Sequence, residues 1–455
     1  MIKVFYYLCH SFQRAMTSNK NIFNISYPIF LTLVAQNIIN VTDTAFLGRV
    51  GEVELGASAI AGVFYIAIYI IGVGFSQGAQ ILIGRRNGEK NYLQIGPIFN
   101  NGLLFNFLLC TILFALTRLF MPGLMTFLVS SERIYEAALD YLGWRIYGLF
   151  FSFLNVMFRA FYVGTTRTRV LTVSAIITAG TNVIFDYLLI FGRAGFPEWG
   201  IAGAGIASVI AEAVTFLYLV IYTLLFGDTK RYNLFKFRKV DIKTIRQILD
   251  LSIFIMFQYF ISVSTWFFFF IFIERMGERP LAATNVGRSL YVLLMVLGSA
   301  LSVTTNTLVS NLIGAGFKEK VLPFVNKMMK IVLILVVPIM IFTFIFPELF
   351  ARIYTDDKGL IEACVPVVRV VSVAMITCAV GNIIFSALSG TGNTRTALVI
   401  EFVVLFFYLG YIYYTAIIHP TTVAVVWLSE LVYWIPIGAL SYLYLLKGNW
   451  RKKEI

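Results

Sequence analysis

Long apolar blocks set the first limit on how this chain can fold. The 455 residues are 59% hydrophobic and 13% charged, whereas a soluble protein carries about a quarter charged residues. The apolar residues fall in blocks of about 20 to 25, long enough to cross a bilayer core of about 30 Å as a helix. The sequence therefore predicts an all-α membrane protein with several spans.

Twelve spans fit these blocks, with breaks at turn or charge clusters such as "RRNGEKN" and "YTDDKG". The predicted spans cover residues 24–48, 55–84, 94–120, 135–163, 169–192, 201–226, 247–274, 280–314, 322–346, 361–388, 396–418 and 420–446. The stretch 1–23 is predicted to be a cytoplasmic lead-in, because its apolar run is too short for a signal peptide.

The basic residues predict the orientation of the spans. The formal net charge is +13, but the Lys and Arg residues collect in loops rather than in one patch. The termini, the even-numbered loops and the span ends that adjoin those loops hold 24 of the 36. By the positive-inside rule both termini are expected in the cytoplasm, with the chain crossing the cell inner membrane many times. The charge therefore gives no reason to expect a nucleic-acid partner.

The chain repeats itself with a shift of 226 residues. The segment "ELGASAIAGVFY" (54–65) aligns with "PLAATNVGRSLY" (280–291), and "GTTRTR" (164–169) aligns with "GTGNTR" (390–395). Two six-helix lobes follow, an N-lobe (24–227) and a C-lobe (247–446). They are joined by a basic cytoplasmic linker (228–246) and followed by a basic tail (447–455). An even number of spans per repeat places a pseudo-twofold axis along the membrane normal.

This predicted architecture favours a transporter. Two similar bundles around a central cavity can rock and expose it to each side in turn. A channel or a scaffold is the alternative at this point, although a channel is commonly assembled from subunits. Paired lobes make a monomer sufficient.

Buried ionisable residues are the candidates for function, since they usually face a bundle interior or a cavity. Glu212 and Glu430 occupy similar places in spans 6 and 12, so a structural role in both halves is the simpler interpretation. The other charged residues placed away from the span ends are Asp43, Asp186, Glu401, Arg145, Arg159, Arg288 and Arg369.

Asp43 and Asp186 stand apart because the repeat does not preserve them. Their shifted counterparts, Phe269 and Ile412, are apolar, so architecture alone does not require the acids. Polar residues accompany both acids at helical spacing: Asn37 and Asn40 before Asp43, and Asn182 four residues before Asp186.

Asn155 and Ser208 can add further oxygens or donors in the same lobe. Carboxylates with amide and hydroxyl groups suit either a proton site or a monovalent cation. A structural, hydrogen-bonded pair remains the alternative. Pro28 lies fifteen residues before Asp43 and is either a bend within span 1 or a first-turn proline.

Several patterns that can signal catalysis or metal binding do not do so in this sequence. The segment "GFSQG" (74–78) matches a nucleophile elbow but lies inside a predicted helix, where its glycines make a small-residue packing face. Neither the four cysteines nor the two histidines have metal-ligand spacing. The sequence predicts no enzyme, no resident metal and no cofactor.

At these positions the chain resembles the multidrug and toxic compound extrusion (MATE) transporters. The resemblance covers essentially the whole chain. It is carried by Pro28 with "DTAFLGRVG", and by "GFSQGAQILIGRRNGE", "NVIFDYLLIFG", "WGIAGAGIAS" and "SALSGTGNTR".

The resemblance implies an antiporter that exports amphipathic, mostly cationic, drug-like compounds in exchange for H⁺ or Na⁺. By matching position, Asp43 and Asp186 would be the coupling acids, with Na⁺ as a possible occupant at Asp43, Asp186 and Asn182. Asn155, Asn182 and Ser208 would line the site, and Pro28 would be the hinge. Secondary candidates are Asn40, Glu212 and Gln258.

The chain departs from some relatives in the C-lobe. Those relatives carry a second set of acids in spans 7 and 10, where Gln258 and Cys378 stand here. Coupling is therefore expected in the N-lobe. The main rival function is a flippase for a lipid-linked oligosaccharide, whose cavity should cluster arginines around a phosphate, whereas the four in-span arginines form no cluster in the sequence.

Overall fold

A computed structural model describes residues 17–129, 131–236 and 240–453, and these residues form helices joined by short loops. We number the longer helices α1 to α13. Their bounds are α1 Asn19–Val50, α2 Glu52–Gly88, α3 Ile95–Leu128, α4 Glu132–Arg145, α5 Gly148–Gly164, α6 Arg169–Ile190, α7 Gly200–Phe226, α8 Ile242–Glu274, α9 Glu278–Gly314, α10 Val321–Ile345, α11 Lys358–Gly390, α12 Thr394–Tyr413 and α13 Ser429–Lys447. Most of the predicted lead-in lies outside the described residues.

The prediction of an all-α membrane protein is confirmed. Within the described ranges, eleven helices are long and apolar enough to cross a membrane. A twelfth span results if α4 and α5 are counted together, although they meet at an angle of 51°. The span predicted over 135–163 therefore corresponds to a bent pair of helices. At the bend, the backbone N–H groups of Tyr147 and Leu149 donate to carbonyls three residues earlier, as in a tighter helical turn.

The chain forms two compact units. One lies within Tyr27–Met256 and is called the N-terminal unit below. The other, called the C-terminal unit, combines the described part of Met1–Ser26 with Phe257–Ile455. A hydrogen bond from Lys327 Nζ to the Thr17 carbonyl (2.6 Å) fastens the start of the described chain within the C-terminal unit.

Helix α8 starts at Ile242, inside the stretch predicted as linker (228–246). Asp241 caps this helix by accepting hydrogen bonds from the backbone N–H groups of Lys243 (3.0 Å) and Thr244 (3.3 Å). The Thr244 hydroxyl also donates to Asp241 and, with these bonds, lowers the pKa of its carboxyl. A local capping signal therefore shortens the loop at its C-terminal end.

The described part of the linker is fastened to the start of α3. The Asn100 side chain accepts from the backbone N–H of Phe235 (2.9 Å) and donates to the Asn233 and Lys236 carbonyls (both 3.4 Å). The Asn101 side chain accepts from the backbone N–H of Asp241 (2.9 Å). These bonds hold the linker against the N-terminal unit.

Gly96 makes the close approach of the linker possible, so Gly96→Ala is expected to destabilise the N-terminal unit. A Cβ at this position would meet the backbone carbonyls of Tyr232 and Asn233. Overpacking of this kind costs about 1–3 kcal/mol. Thermal unfolding in detergent should show a lower melting temperature for Gly96→Ala. Gly123→Ala on the same helix, where a Cβ meets nothing within 4 Å, is the control and should melt no earlier than the native protein. Equal melting of all three proteins would contradict this account of the linker.

Candidate functional site

The structure brings the two acids of the N-terminal unit together. Asp186 on α6 is fully buried, and the Asp43 carboxyl group on α1 lies close to it. Asp43 Oδ1 and both oxygens of Asp186 are buried and have no hydrogen-bond donor within the described chain. Two ionised carboxylates cannot satisfy each other, so the pair requires a proton or a cation.

Asn182 and Ser208 lie beside this pair because α6 and α7 pack closely. Gly203 on α7 faces the backbone of Leu189 on α6, where a Cβ would come within 2.6 Å of the Leu189 carbonyl oxygen. This close packing puts the Asn182 amide 3.4 Å from the Ser208 hydroxyl. Asn182 Oδ1 remains a buried acceptor without a donor among the residues described.

Asn155 and Asn40 are placed differently from these residues. Asn155 on α5 donates to the backbone carbonyl of Glu212 (3.0 Å), and its Oδ1 is buried without a described donor. Asn40 is exposed, and its backbone carbonyl accepts a hydrogen bond from the Thr44 hydroxyl (2.7 Å). The face predicted from the spacing of Asn40 and Asp43 is therefore only partly buried, because three residues of helix turn through about 300° rather than a full circle.

Pro28 is the tenth residue of α1 and therefore lies inside the helix, not in its first turn. Its missing N–H removes one backbone hydrogen bond to the preceding turn. The Thr32 hydroxyl donates to the Pro28 carbonyl (2.9 Å). Of the two interpretations left open by the sequence, the structure shows the interior proline.

Sequence reasoning missed the role of Arg145. This residue ends α4 at the 51° bend, and its Nη2 lies 2.7 Å from Glu212 Oε1 on α7. Its guanidinium also sits over the Tyr65 ring at 3.7 Å, while the Tyr65 hydroxyl donates to Glu212 Oε1 (3.2 Å). Gly148 leaves room for this ion pair, because a Cβ there would meet both charged side chains. The sequence hints at this ion pair only in that an Arg and a Glu both lie within predicted spans of the same half.

The Arg145 charge also acts on the acid pair. Asp43 and Asp186 both lie within electrostatic reach of its guanidinium, as does Tyr141 one turn earlier on α4. Arg145 Nη1 is buried without a hydrogen-bond acceptor in the described structure. The site therefore consists of two neighbouring parts, a neutralised Arg145–Glu212 pair and an acid pair with no cation of its own.

The C-terminal unit carries acids at its own interior. Glu430 on α13 accepts hydrogen bonds from the Tyr291 hydroxyl (2.7 Å), the Trp434 indole (3.2 Å) and the Tyr408 hydroxyl (3.3 Å). Tyr291 is the repeat counterpart of Tyr65, so each unit directs the same tyrosine at a glutamate. Gln258 belongs to this unit, is buried, and has an Oε1 without a donor in the described chain.

The four in-span arginines do not form a phosphate site. Arg145 forms an ion pair with Glu212, and Arg159 is half-buried near Tyr69. In the C-terminal unit, Arg288 and Arg369 are exposed and lie over phenylalanine rings at 5.3 and 6.0 Å. Within each unit the arginines are therefore dispersed, which does not favour a flippase for phosphate-linked lipids.

Comparisons with known proteins agree with this architecture. The MatE family model matches residues 28–188 and 255–413. The chain is 24% identical over 446 residues to a probable multidrug resistance protein NorM from Thermotoga maritima, covering 96% of this chain and 94% of that protein. A curated multidrug resistance protein NorM from Photobacterium profundum is 23% identical over 402 residues, covering 87% of this chain and 86% of its own.

A solved structure shows the same fold. It is described as the outward-facing conformation of a multidrug resistance MATE family transporter of the MOP superfamily. The TM-score is 0.87 at 17% identity, over 97% of this chain and 98% of that one. Because the family model spans well over half of the sequence, and two halves of the chain match it in turn, the protein belongs to the MATE family of membrane transporters.

Proposed function

We propose that this protein is a secondary antiporter that exports amphipathic, mostly cationic compounds in exchange for H⁺ or Na⁺. The observation that carries the proposal is the Asp43–Asp186 pair, whose three buried oxygens have no donor in the described chain. A group that binds an ion transiently must be unsatisfied without it. The relatives named as multidrug resistance proteins support drug-like substrates.

The pair can couple an ion gradient to export because its charge changes on loading. A proton shared by the two carboxyl groups supplies the missing donor and removes one negative charge. Na⁺ would instead use carboxylate oxygens with Asn182 Oδ1, which also has no donor in the described part of the chain. Coupling requires that ion and drug bind the two conformations with different affinities.

The surrounding residues have supporting roles in this proposal. Asn155, Asn182 and Ser208 would provide further polar groups for the ion, and Pro28 would supply a point where α1 bends when the acids change charge. The 3.4 Å contact of Asn182 with Ser208 and the position of Pro28 inside α1 support these roles. The chain acts as a monomer in the cell inner membrane with both termini in the cytoplasm, as its basic loops suggest. Its two units would alternate access by rocking.

Transport into inside-out vesicles tests the proposal and identifies the ion. Vesicles containing the protein are given a fluorescent cationic dye, and a pH gradient or a Na⁺ gradient is imposed separately. Dye uptake that follows one gradient and stops when an ionophore collapses it supports antiport with that ion. Vesicles without the protein are the control. Uptake under neither gradient, with the protein folded, would contradict the proposal, and a lipid-linked substrate would then be the next one to test.

A further inference from the structure

Glu401 is a buried carboxyl group in the interior of the C-terminal unit, apart from the acids described above. It lies on α12 and is 2% exposed. The Ser262 hydroxyl on α8 and the Tyr433 hydroxyl on α13 (3.0 Å) both donate to its Oε1. Its Oε2 is equally buried but has no hydrogen-bond partner in the described structure. Two neighbouring helices therefore donate to one oxygen of this carboxyl group on α12, while its other oxygen has no donor in the described structure.

No cation compensates this carboxylate among the residues that the structure describes. The ion pairs there are Arg86–Glu89, Arg145–Glu212 and Arg167–Asp228, all in the N-terminal unit. The titratable groups that face Glu401 are Tyr433 and, beyond that tyrosine, Glu430. An ionised Glu401 would be an isolated negative charge in a membrane helix bundle, which is strongly disfavoured.

Glu401 differs from Glu212 of the N-terminal unit in the charge of its neighbours. Both glutamates are in-span carboxyl groups with a tyrosine hydroxyl as donor, but Glu212 also has Arg145 at 2.7 Å. Arg145 therefore compensates the Glu212 carboxylate from within the protein. Glu401 has only neutral donors, so an ion from solution must neutralise it.

The donors around Glu401 suit a proton better than Na⁺. In a protonated carboxyl group the carbonyl oxygen accepts hydrogen bonds while the other oxygen carries the hydrogen. This matches two donors on Oε1 and none on Oε2. Gln258, one helical turn before Ser262 on the same face of α8, adds a second buried acceptor without a described donor. Hydroxyl donors can also rotate, so they can serve the ionised form.

We propose that Glu401 is a proton-binding site of the C-terminal unit, separate from the Asp43–Asp186 pair, and that it takes up and releases one proton in each transport cycle. A proton from water forms the O–H bond on Oε2, and the same bond breaks on release, so no other reactant is needed. The acid of this site lies on α12, whereas the positions at which some relatives carry acids, Gln258 and Cys378 here, lie on α8 and α11.

Infrared difference spectroscopy on the full-length protein in liposomes tests the site without any transported substrate. A change of pH should alter a carboxylic-acid C=O band in the native protein, and Glu401→Gln should remove that component. Glu362→Gln, at an exposed glutamate of the same unit, should leave it unchanged. A native spectrum that Glu401→Gln leaves intact would overturn the proposal. This readout is independent of Asp43 and Asp186, so it stands or falls separately from the proposed antiport.

A second variant keeps the test decisive if Glu401→Gln does not fold. Tyr433→Phe retains the carboxyl group but removes one donor that stabilises its ionised form, so the band should change at a different pH from the native band. An unchanged titration in Tyr433→Phe would contradict the site. In vesicles, the number of protons exchanged per dye molecule should fall by one in Glu401→Gln, and an unchanged number would show that Glu401 does not cycle.

Discussion

Asp43→Asn and Asp186→Asn are each expected to reduce gradient-driven export to the level of vesicles without the protein. The amide cannot take up or release a proton near neutral pH, and it weakens a Na⁺ site by removing a charge. The remaining acid also loses the neighbouring carboxyl group with which, in the proposed mechanism, it would share the ion. Exchange of labelled for unlabelled substrate needs no net ion movement, so it should persist in both variants. Dye uptake under an imposed gradient and substrate exchange without a gradient are the two measurements.

Asp140→Asn is the matched control for this prediction. Asp140 is an exposed acid on α4 of the same unit. The variant changes the net charge by the same amount, so both activities should remain native. Normal gradient-driven export in Asp43→Asn would show that the N-terminal acid pair does not couple transport. Loss of exchange together with export, in a variant that still folds, would instead indicate that the acids bind the substrate directly.

Arg145→Met is expected to destabilise the N-terminal unit strongly. It leaves the Glu212 carboxylate, whose side chain is only 15% exposed, without its cation. Breaking a buried ion pair from one side costs about 3–5 kcal/mol, and the partial exposure places this pair near about 3 kcal/mol. The double variant Arg145→Met/Glu212→Gln removes both charges and should recover most of the loss. Thermal or chemical unfolding of native, single and double variants measures the coupling between the two residues.

The surface pair Arg86–Glu89 provides the comparison for this experiment. Its distance is 2.8 Å, close to the 2.7 Å of Arg145–Glu212, but its side chains are 22% and 30% exposed and lie at the end of α2. Arg86→Met should therefore cost about 0–1 kcal/mol. Equal effects of Arg86→Met and Arg145→Met would show that burial does not set the strength of the inner pair. A double variant as unstable as Arg145→Met alone would assign the loss to packing on Tyr65.

The sequence contains enough information to predict the helices and one pair of contacts. Apolar length predicts spans because the bilayer imposes it, and the repeat isolates Asp43 and Asp186 because Phe269 and Ile412 replace them in the second half. The structure then places these two acids together. Asn182 and Ser208 are predicted to line the same site, and the structure places their side chains within hydrogen-bonding distance of each other.

Other features depend on tertiary contacts that one sequence does not reveal. Arg145 and Glu212 are 67 residues apart, and neither periodicity nor hydropathy shows that they meet. The sequence does not predict the bend between α4 and α5, because the residues there, Ile146 and Tyr147, are not helix-breaking residues such as proline. Asn40 shows the opposite error, because its spacing predicts a shared face while the structure leaves it exposed.

The two units also differ in the order in which their residues are synthesised. Tyr27–Met256 is one continuous segment, so this unit can complete its helix packing and fasten the described part of the linker before the second half has been synthesised. The other unit contains both the early residues up to Ser26 and the late segment from Phe257 onwards. The first turns of α1 can therefore complete their packing only after residues of the second half have been synthesised. The bond from Lys327 to Thr17 can form only once α10 is present.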